Sequence, residues 1–360
     1  MTGREGGALP IRDDLLEATA YGAPTDDVPV RLNVNENPYA PPQQVVAAIA
    51  AAVTTALESV NRYPDREALA LRAALADYIG VGVTAGNVWP ANGSNEVMQQ
   101  IFTAFGGPGR SAMSFAPTYS MYPIYARDTF TEYVVVPRGS DHTLDWQAIT
   151  EQITVIRPSV VVVASPNNPT GTPLHHPDIR RLHELVAPFA VLVVDEAYQE
   201  FSNTESAVTL LAQLPRLVVT RTLSKALGAA GLRVGYAITS PEIVDALRLV
   251  RLPYHLSVIT QAAAIVAISH AEWLLRPVTE VVAEREKQFD WLRANDIPVI
   301  PSQAYFLLIG PFAESHKTFL ALLDRGVLVR ETSVPACLRV SIGTPAENES
   351  FRNALINEEN

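Results

Sequence analysis

The stretch Thr222-Leu-Ser-Lys-Ala-Leu-Gly-Ala-Ala-Gly-Leu-Arg233 follows an apolar run and sets the reading of the whole chain. Lys225 stands at its centre. The chain holds three lysines, Lys225, Lys287 and Lys317, among 27 basic residues, and the others are arginine. Arginine stays protonated, whereas a lysine amine loses its proton when desolvated and can attack a carbonyl. Around Lys225 stand the hydroxyls of Thr222 and Ser224, the small residues Gly228, Ala229, Ala230 and Gly231, and Arg233. Hydroxyls, closely approaching backbone and a guanidinium suit a phosphate. An amine for an aldehyde, beside a cradle for a phosphate, describes pyridoxal 5'-phosphate (PLP). Taken alone, the stretch fits an ordinary loop with a surface lysine equally well.

Outward from it, other apolar runs end in polar loops. Val160-Val-Val-Val-Ala164 precedes Ser165-Pro-Asn-Asn-Pro-Thr-Gly171, and Ala190-Val-Leu-Val-Val194 precedes Asp195-Glu-Ala-Tyr198. Leu217-Val-Val-Thr220 precedes the lysine stretch, and Val234-Gly-Tyr-Ala-Ile238 is a fourth run. Residues 177–187 read as a crossover helix. Continuous apolar strands with helical crossovers predict an α/β fold with a mostly parallel sheet covered on both faces. Ligands in such sheets bind beyond the carboxyl ends of the strands. Asn168, Asp195 and Lys225 therefore converge at one edge.

Upstream, Val88–Ala91 reads as a short strand. Asn92-Gly-Ser-Asn95 then opens a helix with Val97, Met98, Ile101, Phe102 and Phe105 on one face. Such a turn offers free N–H groups to an anion, or is plain capping by Ser94 or Asn95. Ser114 to Tyr125 is turn-rich, with Tyr119, Tyr122 and Tyr125 available for ring stacking or for packing. Pro41 and Pro42 open a helix to Leu57, and a second helix covers 66–79. Tyr63 lies in the polar loop between them. Residues 271–295 read as one long charged helix. Strand-like Ile297–Ile300, Phe306–Ile309, Val327–Arg330 and Leu338–Ile342 follow, with a helix near 316–324. The expected division is an arm at 1–30, a small α+β domain from 31–48 and 275–360, and a large domain at 49–274.

The 360 residues are 48% hydrophobic, enough for a sizeable core, and carry a net charge of -11. That charge argues against nucleic acid or an anionic membrane as partner. The single Cys337 permits no internal disulfide and no cysteine-based metal site. It fits a reducing compartment. No apolar run approaches the ~20 residues of a membrane span, and Met1 to Asp14 has no apolar stretch of signal-peptide length. A cytoplasmic protein without a metal is expected.

Together the loops resemble the fold-type I PLP enzymes of the aspartate aminotransferase superfamily. The resemblance rests on Ser-Pro-Asn-Asn-Pro-Thr-Gly, Asp-Glu-Ala-Tyr, and Ser-Lys followed eight residues on by Arg. Within that superfamily the chain is similar to the histidinol-phosphate aminotransferase family, from about Tyr21 to Asn348. Asn-Glu-Asn-Pro, Asn-Arg-Tyr-Pro-Asp, Ala-Asn-Gly-Ser-Asn-Glu, Pro-Tyr-His-Leu-Ser and Leu-Arg-Val-Ser-Ile-Gly-Thr carry this likeness. It implies a large domain with a mostly parallel seven-stranded sheet between helices, and a small α+β domain. It also implies a homodimer with shared sites, acting on small molecules: transfer of the amino group of L-histidinol phosphate to 2-oxoglutarate, through a Schiff base at Lys225 and a ping-pong cycle, in histidine biosynthesis.

The implied roles follow residue by residue. Lys225 binds the cofactor aldehyde and later moves the Cα proton. Asp195 pairs with the pyridine nitrogen, Tyr198 and Asn168 hydrogen-bond the 3'-oxygen, and Tyr119 stacks on the ring. Gly93, Ser94, Asn95, Thr222, Ser224 and Arg233 hold the phosphate, with Tyr63 reaching in from the neighbouring subunit. Arg339 takes a substrate carboxylate by a bidentate pair. Arg330, with Tyr21 from the partner, helps to bind a substrate phosphate. The loop after Val160–Ala164 aims Asn168 at the ring, which predicts a cis bond at Asn168–Pro169. Such a bond costs only about 0.5–1 kcal/mol.

One departure stands out. The family usually has Ser-x-Ala-Asn-Phe where this chain has Ser302-Gln-Ala-Tyr-Phe306. Tyr305 thus joins Tyr119 as a candidate neighbour of the substrate imidazole. It also keeps open an aromatic amino-acid aminotransferase. A phosphothreonine-type decarboxylase shares the fold as well. The PLP-fold effector domain of a transcription regulator would need a basic DNA-binding module, and no basic extension is present.

Overall fold

The computed structural model describes residues 9–356. Strand β1 (Val30–Arg31) leads to helices α1 (Gln43–Leu57) and α2 (Leu69–Ile79). Strand β2 (Val88–Ala91) and helix α3 (Gly93–Phe105) are followed by β3 (Ser111–Ala116), α4 (Tyr122–Asp128), β4 (Glu132–Pro137) and α5 (Trp146–Ile156). Then come β5 (Val160–Ala164), α6 (His176–Val186), β6 (Val191–Asp195), β7 (Leu217–Thr222) and β8 (Gly235–Ile238). Helices α7 (Pro241–Val250), α8 (Val258–Ser269), α9 (Ala271–Leu275) and α10 (Pro277–Ala294) precede β9 (Phe306–Ile309). Helix α11 (Ser315–Asp324), β10 (Val327–Leu328), β11 (Arg330–Glu331), β12 (Leu338–Ser341) and α12 (Pro345–Ile356) complete the described chain.

The central sheet has seven strands in the order β2-β8-β7-β6-β5-β3-β4. All run parallel except β8, which is antiparallel to both neighbours. The cause lies in the connection. Residues 223–234 contain only a short 3-10 turn and no crossover helix, the usual connection between parallel neighbours. The apolar runs have no polar alternation because both faces are covered. Val161, Val163, Leu192 and Val194 enter one core, while Val160, Val162, Val191 and Val193 enter the other. These positions alternate by one residue, as side chains on a strand must.

A third core joins β1, β9, β10 and β12 with α10, α11 and α12. It holds a three-stranded antiparallel sheet, β11-β12-β9, and a parallel pair, β1-β10. Several elements depart from the sequence pattern. The long helix expected at 271–295 is two helices, α9 and α10, broken at Arg276 because Pro277 lacks the N–H that would continue the ladder. The turn-rich stretch expected at 114–125 starts inside β3 and ends inside α4. The pattern did not distinguish β3, β4, α5 or α12. Helix α1 runs unbroken across the boundary expected at residue 48, and its Val45 is fully buried in the first core. The Asn168–Pro169 bond is cis, as expected, and so are Ser165–Pro166, Ala116–Pro117 and Gly310–Pro311.

Candidate active site

Strands β5, β6 and β7 are adjacent and parallel, so the loops at their carboxyl ends leave the sheet side by side. They open into a cavity of about 440 Å³ lined by Asn168, Asp195 and Lys225. The expected convergence is therefore met.

Asp195 is the last residue of β6. One carboxylate oxygen accepts from the Tyr122 hydroxyl at 2.9 Å, and the other from Thr220 Oγ1 at 3.2 Å and the Ala197 N–H at 3.3 Å. Burial raises its pKa, and the Tyr122 and Thr220 hydrogen bonds pull it back down. Glu196, one residue on, faces away from the cavity. It accepts from Arg221 at 2.9 Å and from Ser206 and Ala207, so its place in the Asp-Glu-Ala-Tyr run is explained by bracing the strand ends.

Lys225 lies just beyond β7. Its Nζ donates to the Asn35 carbonyl at 2.7 Å and approaches that of Val34 at 3.4 Å. The amine is pushed down to about 8, first by burial and then by the positive charge of Arg339. Such an amine is largely charged at neutral pH but is readily deprotonated, as a nucleophile and base must be.

In the cavity wall next to Lys225 in the chain, Thr222 Oγ1 bonds Ser224 Oγ at 3.0 Å, and Arg233 Nη1 approaches the same Ser224 oxygen at 3.4 Å. Ser94 and Asn95, in the first turn of α3, line the cavity beside them. Simple capping by Ser94 or Asn95 does not occur, because the N-cap is Asn92, which makes no side-chain cap bond. Hydroxyls, a guanidinium and the positive end of a helix dipole thus meet at one point. Gly93 does not line the cavity. Its φ of +80° and its position matter instead, since a Cβ there would sit 2.7 Å from Arg233 Nη2. The cradle fits a phosphate ester.

Arg339 on β12 is buried. Its Nη1 donates to Asn168 Oδ1 at 2.8 Å and its Nη2 to the Asn33 carbonyl at 2.6 Å, while Nε has no hydrogen-bond partner. Among the described residues it forms no ion pair. A buried cation without an anion is costly, and burial lowers its pKa. Arg330 is directly opposite it across the β11–β12 pair and also lines the cavity. Tyr198 lines the wall, with its hydroxyl accepting from Asn35 Nδ2 at 3.1 Å. Tyr119 lies against the cavity, edge-on to Tyr122 at 5.6 Å.

Two expectations change. Tyr21 lines the cavity of its own chain, where the sequence assigned it to a partner. The backbone beside it explains this, since Arg330 Nη2 approaches the Gly22 carbonyl at 3.5 Å. Tyr305 does not line the cavity. It is fully buried, stacked on Phe201 at 4.3 Å, and its hydroxyl donates to the Asn35 carbonyl. It is therefore not part of the cavity wall. Tyr63 lies outside the cavity, 81% exposed and stacked on Tyr254 at 4.4 Å. Asn35 and Tyr122 were missed as site residues. Tyr122 was visible as one of three clustered tyrosines and Asn35 as part of Asn-Glu-Asn-Pro, but no local signal tied either to Lys225 or Asp195.

A parallel-strand edge presenting a buried carboxylate, a desolvated lysine and a phosphate cradle defines the class. The chain belongs to the aminotransferase class I and II family, which its residues 27–355 match. It is 52% identical over 350 residues to the histidinol-phosphate aminotransferase of Thermobifida fusca, covering 97% of this chain and 95% of that one. It is 54% identical over 354 residues to histidinol-phosphate aminotransferase 3 of Burkholderia lata, again covering 97% and 95%. In fold it is similar to the crystal structure of histidinol-phosphate aminotransferase from Sinorhizobium meliloti in complex with pyridoxal-5'-phosphate. The TM-score is 0.86 and the identity 22%, over 98% of each chain.

Proposed function

We propose that this chain is a PLP-dependent aminotransferase that moves the amino group of L-histidinol phosphate to 2-oxoglutarate, as in histidine biosynthesis. The observation that carries the reading is the pair Arg330 and Arg339, opposed across two strands and lining the same cavity as Lys225 and Asp195. When bound, PLP supplies the aldehyde that takes up the amino group and the ring that takes up electron density. Ser94, Asn95, Thr222, Ser224 and Arg233 would hold its phosphate. Asp195, braced by Tyr122 and Thr220, would keep the ring nitrogen protonated. Asn168 and Tyr198 would hydrogen-bond the ring oxygen, and Tyr119 would pack against the ring. Lys225 then carries the proton at the substrate Cα, since a readily deprotonated amine suits general acid/base work near neutral pH.

Arg339 takes the carboxylate of glutamate or 2-oxoglutarate, with its unpartnered Nε available to a second oxygen. Arg330 and Tyr21 of the same chain, with Arg339, take the phosphate of histidinol phosphate. One pocket thereby serves both half-reactions.

The enzyme in this reading is a cytoplasmic homodimer with no nucleic-acid or membrane partner. Its division is into an arm, a large domain and a small domain. Tyr63 and Tyr254 form an exposed stack, and Leu249 and Leu252, shortly before Tyr254 in the chain, are exposed as well, which suits a subunit interface that delivers Tyr63 to the partner's phosphate site. Among the described residues no single helix is long and apolar enough to cross a membrane.

The test is kcat/KM for histidinol phosphate against phenylalanine and tyrosine, each with 2-oxoglutarate. Histidinol phosphate should win. A tenfold preference for the aromatic amino acids, about 1.4 kcal/mol in transition-state binding, would make this an aromatic aminotransferase instead.

A further inference from the structure

Two donors converge on one backbone oxygen. The Asn35 carbonyl accepts from Lys225 Nζ at 2.7 Å and also from the Tyr305 hydroxyl. A carbonyl has two lone pairs, so both bonds form at once, and both are then used. Asn35 is itself held on every remaining side. Its N–H donates to Ser341 Oγ at 3.1 Å, and its Oδ1 accepts from that hydroxyl at 2.7 Å. Its Nδ2 donates to Tyr198 at 3.1 Å. The residue is buried and has a φ of +54°, a conformation that asparagine tolerates better than most residues.

We propose that the Asn35 carbonyl is the post on which the Lys225 amine rests whenever it is not bonded to the cofactor. We further propose that Tyr305 keeps this post a weak acceptor, so that the amine is released as a base. Tyr305 is thus a positioning residue, acting on Lys225 through Asn35. Its catalytic meaning rests on the aminotransferase reading, but the contact does not.

A hydrogen bond to the charged form of a group stabilises that form. A carbonyl given wholly to an ammonium would hold Lys225 protonated. A second donor draws on the same oxygen and weakens its hold. The clamp from Ser341 and Tyr198 keeps the carbonyl aimed at Lys225 whether or not the Tyr305 hydroxyl is present. Deprotonation transfers one proton from the –NH3+ group to water in the cavity and leaves the lone pair on nitrogen. The other charged or titratable groups facing Lys225 are Arg339 from β12, Arg233 beyond the lysine loop, Glu36 beside Asn35, and Asp195 at the end of β6. The Tyr198 ring is 6.0 Å from Nζ. Neither variant below alters any of these groups.

The test is a pH titration of the full-length chain, free of cofactor and labelled with carbon-13 at lysine Cε. Three lysines give three signals, and the one lost in Lys225→Arg is Lys225. Lys287 and Lys317, paired with Glu284 and Glu314, are internal controls. Tyr305→Phe keeps the ring on Phe201 and should raise the Lys225 midpoint by about half a pH unit or more. Ser341→Ala loosens Asn35, weakens the bond to Lys225, and should lower the midpoint. The controls should not move. A Tyr305→Phe midpoint that is unchanged or lower overturns the proposal. If Tyr305→Phe does not fold, an unchanged or higher midpoint in Ser341→Ala overturns it. This readout needs neither substrate nor cofactor, so failure of the aminotransferase reading would appear separately, in the assays of amino-group transfer.

Discussion

Arg330 and Arg339 are cross-strand partners, directly opposite one another on antiparallel β11 and β12. Side chains opposite each other on one face of such a pair are close neighbours, so two like charges are held at one wall of the cavity. That arrangement is unfavourable unless an anion joins them. Arg330→Ala should therefore cost about 1.5–3 kcal/mol for a phosphorylated substrate. The kcat/KM for histidinol phosphate should fall about tenfold to 150-fold. Phenylalanine, which carries no phosphate, should lose much less. Equal losses for both substrates would remove Arg330 from the phosphate site.

Borohydride treatment of the PLP-loaded protein, followed by peptide mapping, should place the pyridoxyl group on Lys225 and not on Lys287 or Lys317. The rate of loading should depend on pH in a definite direction. The Lys225 amine is pushed down to about 8 in the folded chain, and only its neutral form attacks an aldehyde. Loading of cofactor-free protein should accelerate as pH rises through about 8 and level off above it. A rate still climbing steeply at pH 10 would show an ordinary exposed lysine.

The Tyr122 hydroxyl donates to Asp195 at 2.9 Å and lowers a carboxyl pKa that burial raises. Tyr122→Phe removes that donor. The Asp195 pKa should rise further, so the acid limb of the kcat profile should move to higher pH. Asp195→Ala should retain PLP weakly and lose most turnover, because the protonated ring loses its counter-charge. Near-normal kcat in Asp195→Ala would exclude the assigned role.

Tyr63 has no contact with the cavity of its own chain. Mixing a Tyr63→Phe protein with an inactive Lys225→Ala protein should raise activity above the sum of the two parents. A hybrid dimer places both lesions in one site and leaves the other intact. Proven subunit exchange without any gain would argue that sites are not shared.

Gly235 on β8 lies under the start of α3. A Cβ there would stand 2.1 Å from the Ser94 nitrogen, which is backbone and cannot swing aside. Gly235→Ala should cost about 1–3 kcal/mol of stability, read as a lowered Tm. It should also weaken PLP binding by displacing Ser94 and Asn95. Normal affinity would mean that the helix start does not grip the phosphate.

Much of the large sheet was legible because its signals are local. Uninterrupted valines at 160–163 can only belong to an element buried on both faces, and the loops after Ala164, Val194 and Thr220 had to share an edge. Strand β4 was not legible, since it is an edge strand whose Glu132, Val135 and Pro137 are exposed, and exposure erases the apolar pattern. Helices α9 and α10 look like one in the sequence because the charged pattern continues through Arg276, although Pro277 marks the break.

By itself the sequence determined the covered parallel sheet, the lysine beside hydroxyls and a guanidinium, and the carboxylate that shares its edge, because strand burial and loop position follow from residues close in the chain. Only the tertiary structure decided what surrounds them. Lys225 meets Asn35 across 190 residues, and Tyr305 reaches the same oxygen across 270. It also turned Tyr21 into its own chain's cavity, removed Tyr305 from it, and placed Arg330 in register with Arg339. Contacts between residues so far apart depend on how the small sheet packs against the large one. That packing is a balance of many weak surfaces which no single stretch of sequence encodes.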